Sequence, residues 1–161
     1  MQPSTVTRSD DAIALRAARR DEIPAITELV ASADLPPLFV EAYIDGFLVA
    51  ERDGALLACG GVEMYDDCAV LRSIVVADAA RRQGLGRRLA EALSERAQTA
   101  GATELYLFTE DAHDFWLHLG FVDVPLDDWA QPPRAGWQYQ FIAANQHVEV
   151  FRDVKSMWKA A

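Results

Sequence analysis

A strand, a glycine-containing loop and a helix follow one another between residues 69 and 100, and this segment constrains the fold more than any other. An apolar run from Ala69 to Ala77 ends at Asp78 and predicts a buried strand. After the loop, apolar residues at three- and four-residue steps predict an amphipathic helix that ends before Gly101. This order directs backbone N–H groups and the positive end of a helix dipole toward one point, which favours a phosphate ligand.

The spacing of the loop glycines decides which phosphate ligand the loop can hold. Residues 81–86 read Arg-Arg-Gln-Gly-Leu-Gly. A dinucleotide-binding fingerprint needs a third glycine where Leu89 stands, and the nucleotide-triphosphate loop Gly-x-x-x-x-Gly-Lys-Ser/Thr does not occur. The pattern R-x-x-G-x-G resembles the acyl-CoA pyrophosphate loop of the GCN5-related N-acetyltransferases (GNATs). Glycines let the backbone approach a pyrophosphate and the arginines add positive charge. An ordinary helix N-terminus with solvated arginines is the alternative.

Composition indicates one globular domain. The chain has 161 residues, of which 51% are hydrophobic and 25% charged. We expect residues 1–11 to form a flexible N-terminal tail and residues 12–161 a single domain. The sequence contains no apolar run of about 20 residues and no signal-peptide core, and Cys59 and Cys68 do not form a disulfide framework. We therefore expect a cytoplasmic protein without a membrane segment.

The distribution of charge argues against nucleic acid and in favour of one local anion. The net charge is −10, yet four arginines lie between positions 81 and 88. An acidic chain binds nucleic acid poorly because phosphate neutralisation supplies most of that affinity. A basic island on such a chain fits coenzyme A, with its pyrophosphate and 3′-phosphate. The three histidines lack the spacing of a metal site, so we expect no metal.

Elsewhere the sequence predicts strands mixed with helices. We expect strands at residues 13–17, 47–51, 55–64, 69–77, 104–109, 121–124 and 148–154. We expect helices at residues 21–30, with Asp21 as N-cap, and at 38–45, 85–100, 112–119 and 137–144. The predicted fold is α/β (α+β), a mixed, mostly antiparallel central sheet flanked by helices in the order β-α-α-β-β-β-α-β-α-β-β.

A second motif supports the same family. The stretch from Thr109 to Phe121 resembles the GNAT segment Asn-x-x-Ala-x-x-Phe-Tyr-x-x-x-Gly-Phe and matches it at Ala112, Phe115 and Gly120 as well as at Phe121. Together the two motifs imply the GNAT fold and acetyl-CoA as cofactor. The resemblance also implies that the backbone of strand residues 74–76 holds the pantetheine, with the N–H of Val75 at the oxyanion. The implied cofactor contacts are Ile74, Val75, Val76, Arg81, Arg82, Gln83, Gly84, Leu85, Gly86, Arg87, Thr109, Phe115 and Trp116.

Trp116 departs from the family pattern in a way that matters for catalysis. Many GNATs carry a tyrosine there that protonates the leaving CoA thiolate, and an asparagine where Thr109 stands. An indole N–H donates hydrogen bonds but is not a usable acid, so we favour aromatic packing beside the acyl-CoA channel. A thiol of pKa about 8.5 leaves without that acid. A non-catalytic acyl-CoA-binding sensor is the alternative.

Three further stretches resemble a particular branch of the family. Residues 47–65, 69–77 and 105–121 look like the acetyltransferase domain of arginine-pathway amino-acid N-acetyltransferases and like small GNATs associated with arsenic resistance. The implied reaction is direct acetyl transfer to the primary amine of a small molecule, an amino acid or analogue. A peptide or protein N-acetyltransferase is the other alternative.

Two charged residues are candidates for catalysis. Glu63, at a strand end, either accepts the amine proton or is an exposed carboxylate. Arg72 interrupts an apolar strand, where a charge is rarely buried without a partner. It either binds a substrate carboxylate or pairs internally with Glu63. The candidate walls of the acceptor pocket, with core or rim packing as the alternative, are Tyr65, Trp137, Tyr139 and Phe141. An exposed final strand makes a homodimer possible.

Overall fold

The computed structural model describes residues 13–161, so the predicted N-terminal tail lies outside the described residues. The strands are β1 (Ala14–Ala17), β2 (Phe47–Arg52), β3 (Ala55–Tyr65), β4 (Cys68–Val76), β5 (Glu104–Thr109), β6 (Val122–Asp123) and β7 (Lys155–Ala160). The helices are α1 (Ile23–Ser32), α2 (Leu85–Thr99), α3 (His113–His118), α4 (Gln131–Arg134) and α5 (Trp137–Ala144).

All seven strands of the described chain form one sheet in the order β1-β2-β3-β4-β5-β7-β6. The neighbours β4 and β5 run parallel, and every other pair is antiparallel. Asp53 and Gly54 form the two-residue turn between β2 and β3, as expected for this dipeptide between apolar runs. The predicted mixed, mostly antiparallel sheet is therefore confirmed.

The predicted second helix at residues 38–45 is wrong. The segment consists of turns followed by a short 3₁₀ helix at Ile44–Gly46. Val40 and Ile44 are buried four residues apart, which imitates the spacing of an amphipathic helix. Phe39, however, has a φ of 60°, in the left-handed region that a helix cannot include.

The predicted last strand at residues 148–154 is also wrong. Residues Glu149–Phe151 form a 3₁₀ turn and Val150 is 65% exposed, whereas β7 begins at Lys155 and buries Met157 completely. β7 lies between β5 and β6, so the exposed final strand behind the homodimer prediction is not at the sheet edge. A homodimer stays a prediction without that support.

Helices cover both faces of the sheet. On one face, Ile26 and Val30 of α1 pack in a buried cluster with Val75. On the other face, Leu89 and Leu93 of α2 are fully buried. α1 starts after a 3₁₀ turn with Glu22 as N-cap, rather than at the predicted cap Asp21. No helix within residues 13–161 is long and apolar enough to span a membrane.

Candidate active site

The parallel pair β4–β5 separates early, and this creates the central opening of the site. The two strands pair only from Cys68 to Val70 and from Glu104 to Tyr106. Beyond that point β5 continues along β7, while β4 continues along β3 as far as Val76. Residues 71–76 and 107–109 therefore face each other without a ladder, and we call this opening the β4–β5 gap.

A bulge in β4 lies at the start of the β4–β5 gap. Arg72 pairs with Gly61 and Val75 with Cys59, so two residues of β4 stand opposite the single residue between those partners on β3. Ser73 takes up the irregularity with a φ of 54°. A bulge re-aims the backbone groups that follow it, and here those groups belong to the strand that borders the opening.

Strand geometry shows which amides of β4 face the β4–β5 gap. The N–H of Ala77 donates to the Leu57 carbonyl at 2.8 Å, toward β3. Because amides alternate in direction along a strand, the N–H of Val75 also points to β3. On that side Val75 pairs with Cys59 of β3. The N–H of Val76 therefore points into the opening, and the predicted oxyanion donor Val75 directs its N–H to the opposite side of the strand. Ile74 belongs to the bulge, where this alternation is interrupted, and it lines the opening.

The loop between β4 and α2 presents backbone amides at a helix start. Gly84 has a φ of 72°, and a β-carbon there would meet nothing within 4 Å, so the backbone conformation rather than space requires glycine. The first helical bond of α2 runs from the Arg88 N–H to the Gly84 carbonyl at 3.1 Å. The amides of residues 84–87 precede that bond and are free for an anion.

A groove of about 650 Å³ runs from this loop to the β4–β5 gap. Its lining includes Ile74, Val76, Arg81, Arg82, Gly86, Phe115 and Trp116. A β-carbon on Gly86 would lie 3.7 Å from both the Phe115 ring and the Val76 side chain. A β-carbon therefore fits here in ordinary contact, and only a longer side chain would fill the space. We call this cavity the loop groove.

The predicted cofactor residues of the loop fall into two groups. Arg81 and Arg82 line the loop groove, and Arg81 also pairs with Asp78 at 3.1 Å. Arg87 instead pairs with Glu91 along the surface of α2 at 2.9 Å. The Leu85 side chain is 2% exposed and belongs to the core. Leu85, like Gln83, is absent from the lining of the loop groove as the described chain forms it.

Trp116 stands where the loop groove meets a second cavity, and it lines both. The residue is 6% exposed and makes edge contacts with Phe115 and Phe121 at ring distances of 5.0 and 5.2 Å. Its indole N–H has no hydrogen-bond partner among residues 13–161. Thr109 accepts a hydrogen bond from the Ala112 N–H at 3.2 Å and so holds the turn that leads into α3.

The second cavity has a volume of about 260 Å³ and lies across the β4–β5 gap from α2. We call it the acceptor cavity. Its apolar lining includes Leu35, Pro36, Phe108, Trp137, Phe141, Ile142, Phe151 and Val154. The two cavities share Ile74, Glu110, Asp111, Ala112 and Trp116, so they adjoin at these residues. Of the candidate walls, Trp137 and Phe141 line the acceptor cavity, whereas Tyr65 and Tyr139 are absent from the lining that the described chain provides.

Glu63 is a buried partner of Arg72 rather than an exposed carboxylate. The Arg72 Nη1 and the Glu63 Oε2 are 3.0 Å apart, and their side chains are 2% and 0% exposed. The Glu63 carboxylate also accepts hydrogen bonds from the Trp137 indole at 2.9 Å and from the Tyr65 hydroxyl. Burial and the adjacent Glu63 raise the pKa of Tyr65, so this hydroxyl stays protonated and donates. We call these four residues the ionic cluster.

Every nitrogen of the Arg72 guanidinium is engaged. Besides Glu63, it donates to the Ser73 hydroxyl at 3.1 Å and to the Leu38 carbonyl. The guanidinium lies 4.8 Å from the Trp137 ring and 5.5 Å from the Phe47 ring. Burial lowers the pKa of Arg72 and Glu63 opposes that change, so the group remains a cation at neutral pH.

Sequence reasoning did not identify Glu110 and Asp111 as site residues. Both are exposed, follow β5 directly and lie where the two cavities adjoin. Their signal was their position inside the second motif, since Thr109, Glu110 and Asp111 are consecutive. Within the described chain, no group of three or more metal-ligating side chains occurs.

Sequence comparison connects these features to known proteins. Residues 15–121 match the model of the Acetyltransferase (GNAT) family. The chain is 28% identical to the amino-acid acetyltransferase of Ralstonia nicotianae over 145 residues, which cover 84% of this chain and 32% of that protein. It thus spans about a third of the length of the curated relatives it matches.

Structural comparison identifies the same fold. N-acetylglutamate synthase from Neisseria gonorrhoeae, complexed with coenzyme A and N-acetyl-glutamate, superposes with a TM-score of 0.78 at 20% identity, covering 92% of this chain and 35% of that one. The protein yncA from Salmonella typhimurium, solved with its cofactor acetyl-CoA, gives a TM-score of 0.64 at 21% identity, covering 92% and 94%. These likenesses confirm the predicted fold.

Proposed function

The chain belongs to the GNAT family of acetyltransferases, and from that premise we propose that it moves an acetyl group from acetyl-CoA to the primary amine of a small molecule. One observation carries the proposal. The loop groove and the acceptor cavity adjoin at the β4–β5 gap, where they share Ile74 and Trp116. A thioester entering from one side and an amine entering from the other meet at that point.

The cofactor contacts follow from the two halves of the loop groove. The free amides of residues 84–87 and the arginines Arg81 and Arg82 bind the pyrophosphate. The pantetheine extends along β4 in place of the missing β5 ladder, where the backbone of Ile74 and Val76 is available. The side chains of Phe115 and Trp116 form the opposite wall.

The chemistry needs one proton removed before attack. The ammonium loses a proton, and the nitrogen lone pair then bonds to the thioester carbonyl carbon while the π electrons move to oxygen. Collapse of this intermediate breaks the C–S bond, and the electron pair leaves with sulfur. The nitrogen loses its second proton and the thiolate gains one. An ammonium and acetyl-CoA thus yield an acetamide, CoA thiol and one released proton.

The structure supports roles that differ from the sequence-based assignment. We assign the oxyanion contact to the N–H of Ile74, because Ile74 lines both cavities whereas Val75 directs its N–H to β3. We assign Glu63 and Arg72 to positioning, because the Glu63 carboxylate is buried and already accepts three hydrogen bonds. We assign the Trp116 indole to hydrogen-bonding the departing sulfur, which it can do without transferring a proton.

An amino acid or analogue is the acceptor class that the relatives support. The Ralstonia nicotianae protein is an amino-acid acetyltransferase, and the Neisseria gonorrhoeae protein is an N-acetylglutamate synthase. The chain corresponds to about a third of each. An acceptor of this class, an amino acid or an analogue of one, is therefore part of the proposal.

A non-catalytic acyl-CoA sensor is the second candidate, and Trp116 is the observation that favours it. Indole cannot replace the proton that a phenol supplies to the leaving thiolate. The test is CoA-thiol release from acetyl-CoA over a panel of amines, amino acids and short peptides, run beside calorimetric titration of acetyl-CoA. Turnover on a small amine supports the enzyme, and preferential turnover on peptides supports a peptide acetyltransferase. Tight binding without any turnover supports the sensor.

We also propose a cytoplasmic location, which the two cysteines support. Cys59 and Cys68 are buried free thiols, as expected where cellular reductants maintain them. Burial raises the pKa of each thiol to about 12, so neither is a reactive thiolate at neutral pH.

A further inference from the structure

We propose that the acceptor is an apolar amine without a free carboxylate, and that Glu110 and Asp111 hold its ammonium group where the two cavities adjoin. The inference rests on the acetyl transfer proposed above and names the class of acceptor. It separates an amino-acid amide or an arylalkylamine from an amino acid.

The charges on the acceptor cavity favour a cation and disfavour an anion. Among the described residues that line it, Arg72 is the only Lys, Arg or His, and Asp34, Glu110 and Asp111 are carboxylates. The single positive charge is matched by the fully buried Glu63 behind it. A substrate carboxylate would therefore enter a small cavity with excess negative charge, where the cation of the described lining already has a buried counter-ion.

Arg72 is a poor carboxylate clamp, because it is already paired and buried. A bidentate carboxylate needs two free N–H groups on one edge of the guanidinium. Here Glu63, Ser73 and Leu38 accept from three of its five N–H groups, one on each nitrogen, and the side chain is 2% exposed. A substrate carboxylate on the remaining N–H groups would share this one cation with the fully buried Glu63 and would lose its own hydration, which makes its binding costly.

Glu110 and Asp111 fix the orientation of the amine. Both line the acceptor cavity and the loop groove, beside Ile74 and Trp116. Within the described chain neither makes an ion pair, so both are available to an ammonium group. Because both are also exposed, a proton taken from that ammonium passes on to water.

The far end of the acceptor cavity receives the body of the acceptor. It is formed by apolar side chains of α5 and of the segment before β7, namely Phe141, Ile142, Phe151 and Val154. Two exposed aromatic rings extend this surface outward. Phe39 is 53% exposed with its ring 5.3 Å from that of Trp137, and Phe141 is 41% exposed. An aromatic or branched apolar group fits this end.

Gln138 adds one neutral donor. Its Nε2 is buried beside the acceptor cavity and has no hydrogen-bond partner among residues 13–161. A neutral amide satisfies a carbonyl or hydroxyl oxygen but does not offset the desolvation of a carboxylate. An amino-acid amide therefore suits the cavity better than the free acid.

The experiment compares acceptors that differ in the carboxylate alone. We would measure kcat/KM for phenethylamine, L-phenylalanine, L-phenylalaninamide and L-glutamate by CoA-thiol release. Phenethylamine is the decisive member because it is more basic than phenylalanine, so easier deprotonation cannot explain a preference for it. We expect phenethylamine and the amide to exceed phenylalanine by about 100-fold or more, with glutamate lowest.

A matched set of variants tests the two carboxylates. The double variant Glu110→Gln/Asp111→Asn should raise KM for phenethylamine about tenfold or more. It should also reduce the ratio of kcat/KM for phenethylamine to kcat/KM for phenylalanine. The control Glu95→Gln, on the exposed part of α2, removes a carboxylate that lines neither cavity. It should change neither KM for phenethylamine nor the ratio of the two kcat/KM values.

The outcomes separate the acceptor class from the reaction itself. Acetylation of phenylalanine or glutamate as fast as phenethylamine overturns the inference and leaves acetyl transfer standing. If no amine turns over, calorimetry of the same four compounds with the CoA-loaded protein still measures the preference. Binding of phenethylamine but not of phenylalanine then supports the inference while the proposed enzyme fails. Binding of neither, or of phenylalanine alone, overturns it.

Discussion

The loop groove and the acceptor cavity are built on different principles. The loop groove is lined by two short continuous segments, residues 74–86 of β4 and the loop, and residues 110–116 at the start of α3. The acceptor cavity collects side chains from α5 and from loops far apart in the chain, such as Leu35 and Val154. The first is therefore tied to one ligand chemistry, and the second is free to differ among proteins with the same fold.

The largest effect should come from breaking the ionic cluster, which belongs to the acceptor side. Glu63→Gln leaves the buried Arg72 guanidinium without its anion and should lower the free energy of unfolding by about 3–5 kcal/mol. Denaturant unfolding measures this. The double variant Glu63→Gln/Arg72→Met removes both charges and should recover part of the loss. A single variant as stable as the wild type would mean that the pair is not buried.

The loop groove should respond to one added side chain through binding rather than stability. Gly86→Glu introduces bulk and negative charge beside Phe115 and should weaken acetyl-CoA binding by about 100-fold, or about 2.7 kcal/mol. Calorimetric titration measures the change. Gly86→Ala is the control, because its β-carbon meets neighbours at an ordinary 3.7 Å. If Gly86→Glu binds acetyl-CoA as tightly as the wild type, the loop is not part of the cofactor site.

Trp116 lies between the two regions, and its replacement separates packing from hydrogen bonding. Trp116→Phe keeps an aromatic ring and removes the indole N–H, so kcat should fall by up to about tenfold, the contribution of one hydrogen bond. KM for acetyl-CoA should change little. An unchanged kcat would return Trp116 to the packing role that the sequence suggested.

A more exposed ion pair provides the contrast to the ionic cluster. The Arg16 guanidinium, 2.7 Å from Glu22, lowers the pKa of that carboxyl to about 2. Glu22 therefore stabilises the fold fully above its ordinary pKa of about 4.5, and the contribution disappears as the pH falls through 2. Glu22→Gln should cost about 1 kcal/mol at pH 7, since Arg16 is partly exposed. The free energies of unfolding of Glu22→Gln and of the wild type, measured from pH 7 to pH 2, should converge at the acidic end.

The same difference explains what the sequence could and could not predict. Gly84, Gly86 and the arginines before them lie in one short stretch, so local order alone indicates the loop groove. The sheet class followed from the Asp53-Gly54 turn and from apolar runs of strand length. These signals are local, and tertiary contacts do not override them.

Non-local geometry was beyond the reach of those signals. The direction of the Val75 amide depends on the register with β3 and on the bulge at Ser73, neither of which leaves a mark in composition. The roles of Glu110 and Asp111 depend on where β5 separates from β4. The predictions of a helix at residues 38–45 and a strand at 148–154 were wrong because apolar residues in turns can have the spacing of a helix or a strand. The sequence does not reveal which of these residues are buried.

The ionic cluster also has a consequence for how such a protein changes over evolutionary time. Arg72 holds the segment around Leu38 through its carbonyl, and Glu63 holds the start of α5 through the Trp137 indole. One ion pair on the sheet thus anchors both segments beside the acceptor cavity. Phe141 and Ile142 line that cavity but make no hydrogen bond to the pair. Lineages are free to exchange those side chains and acquire new acceptors while the catalytic platform stays folded.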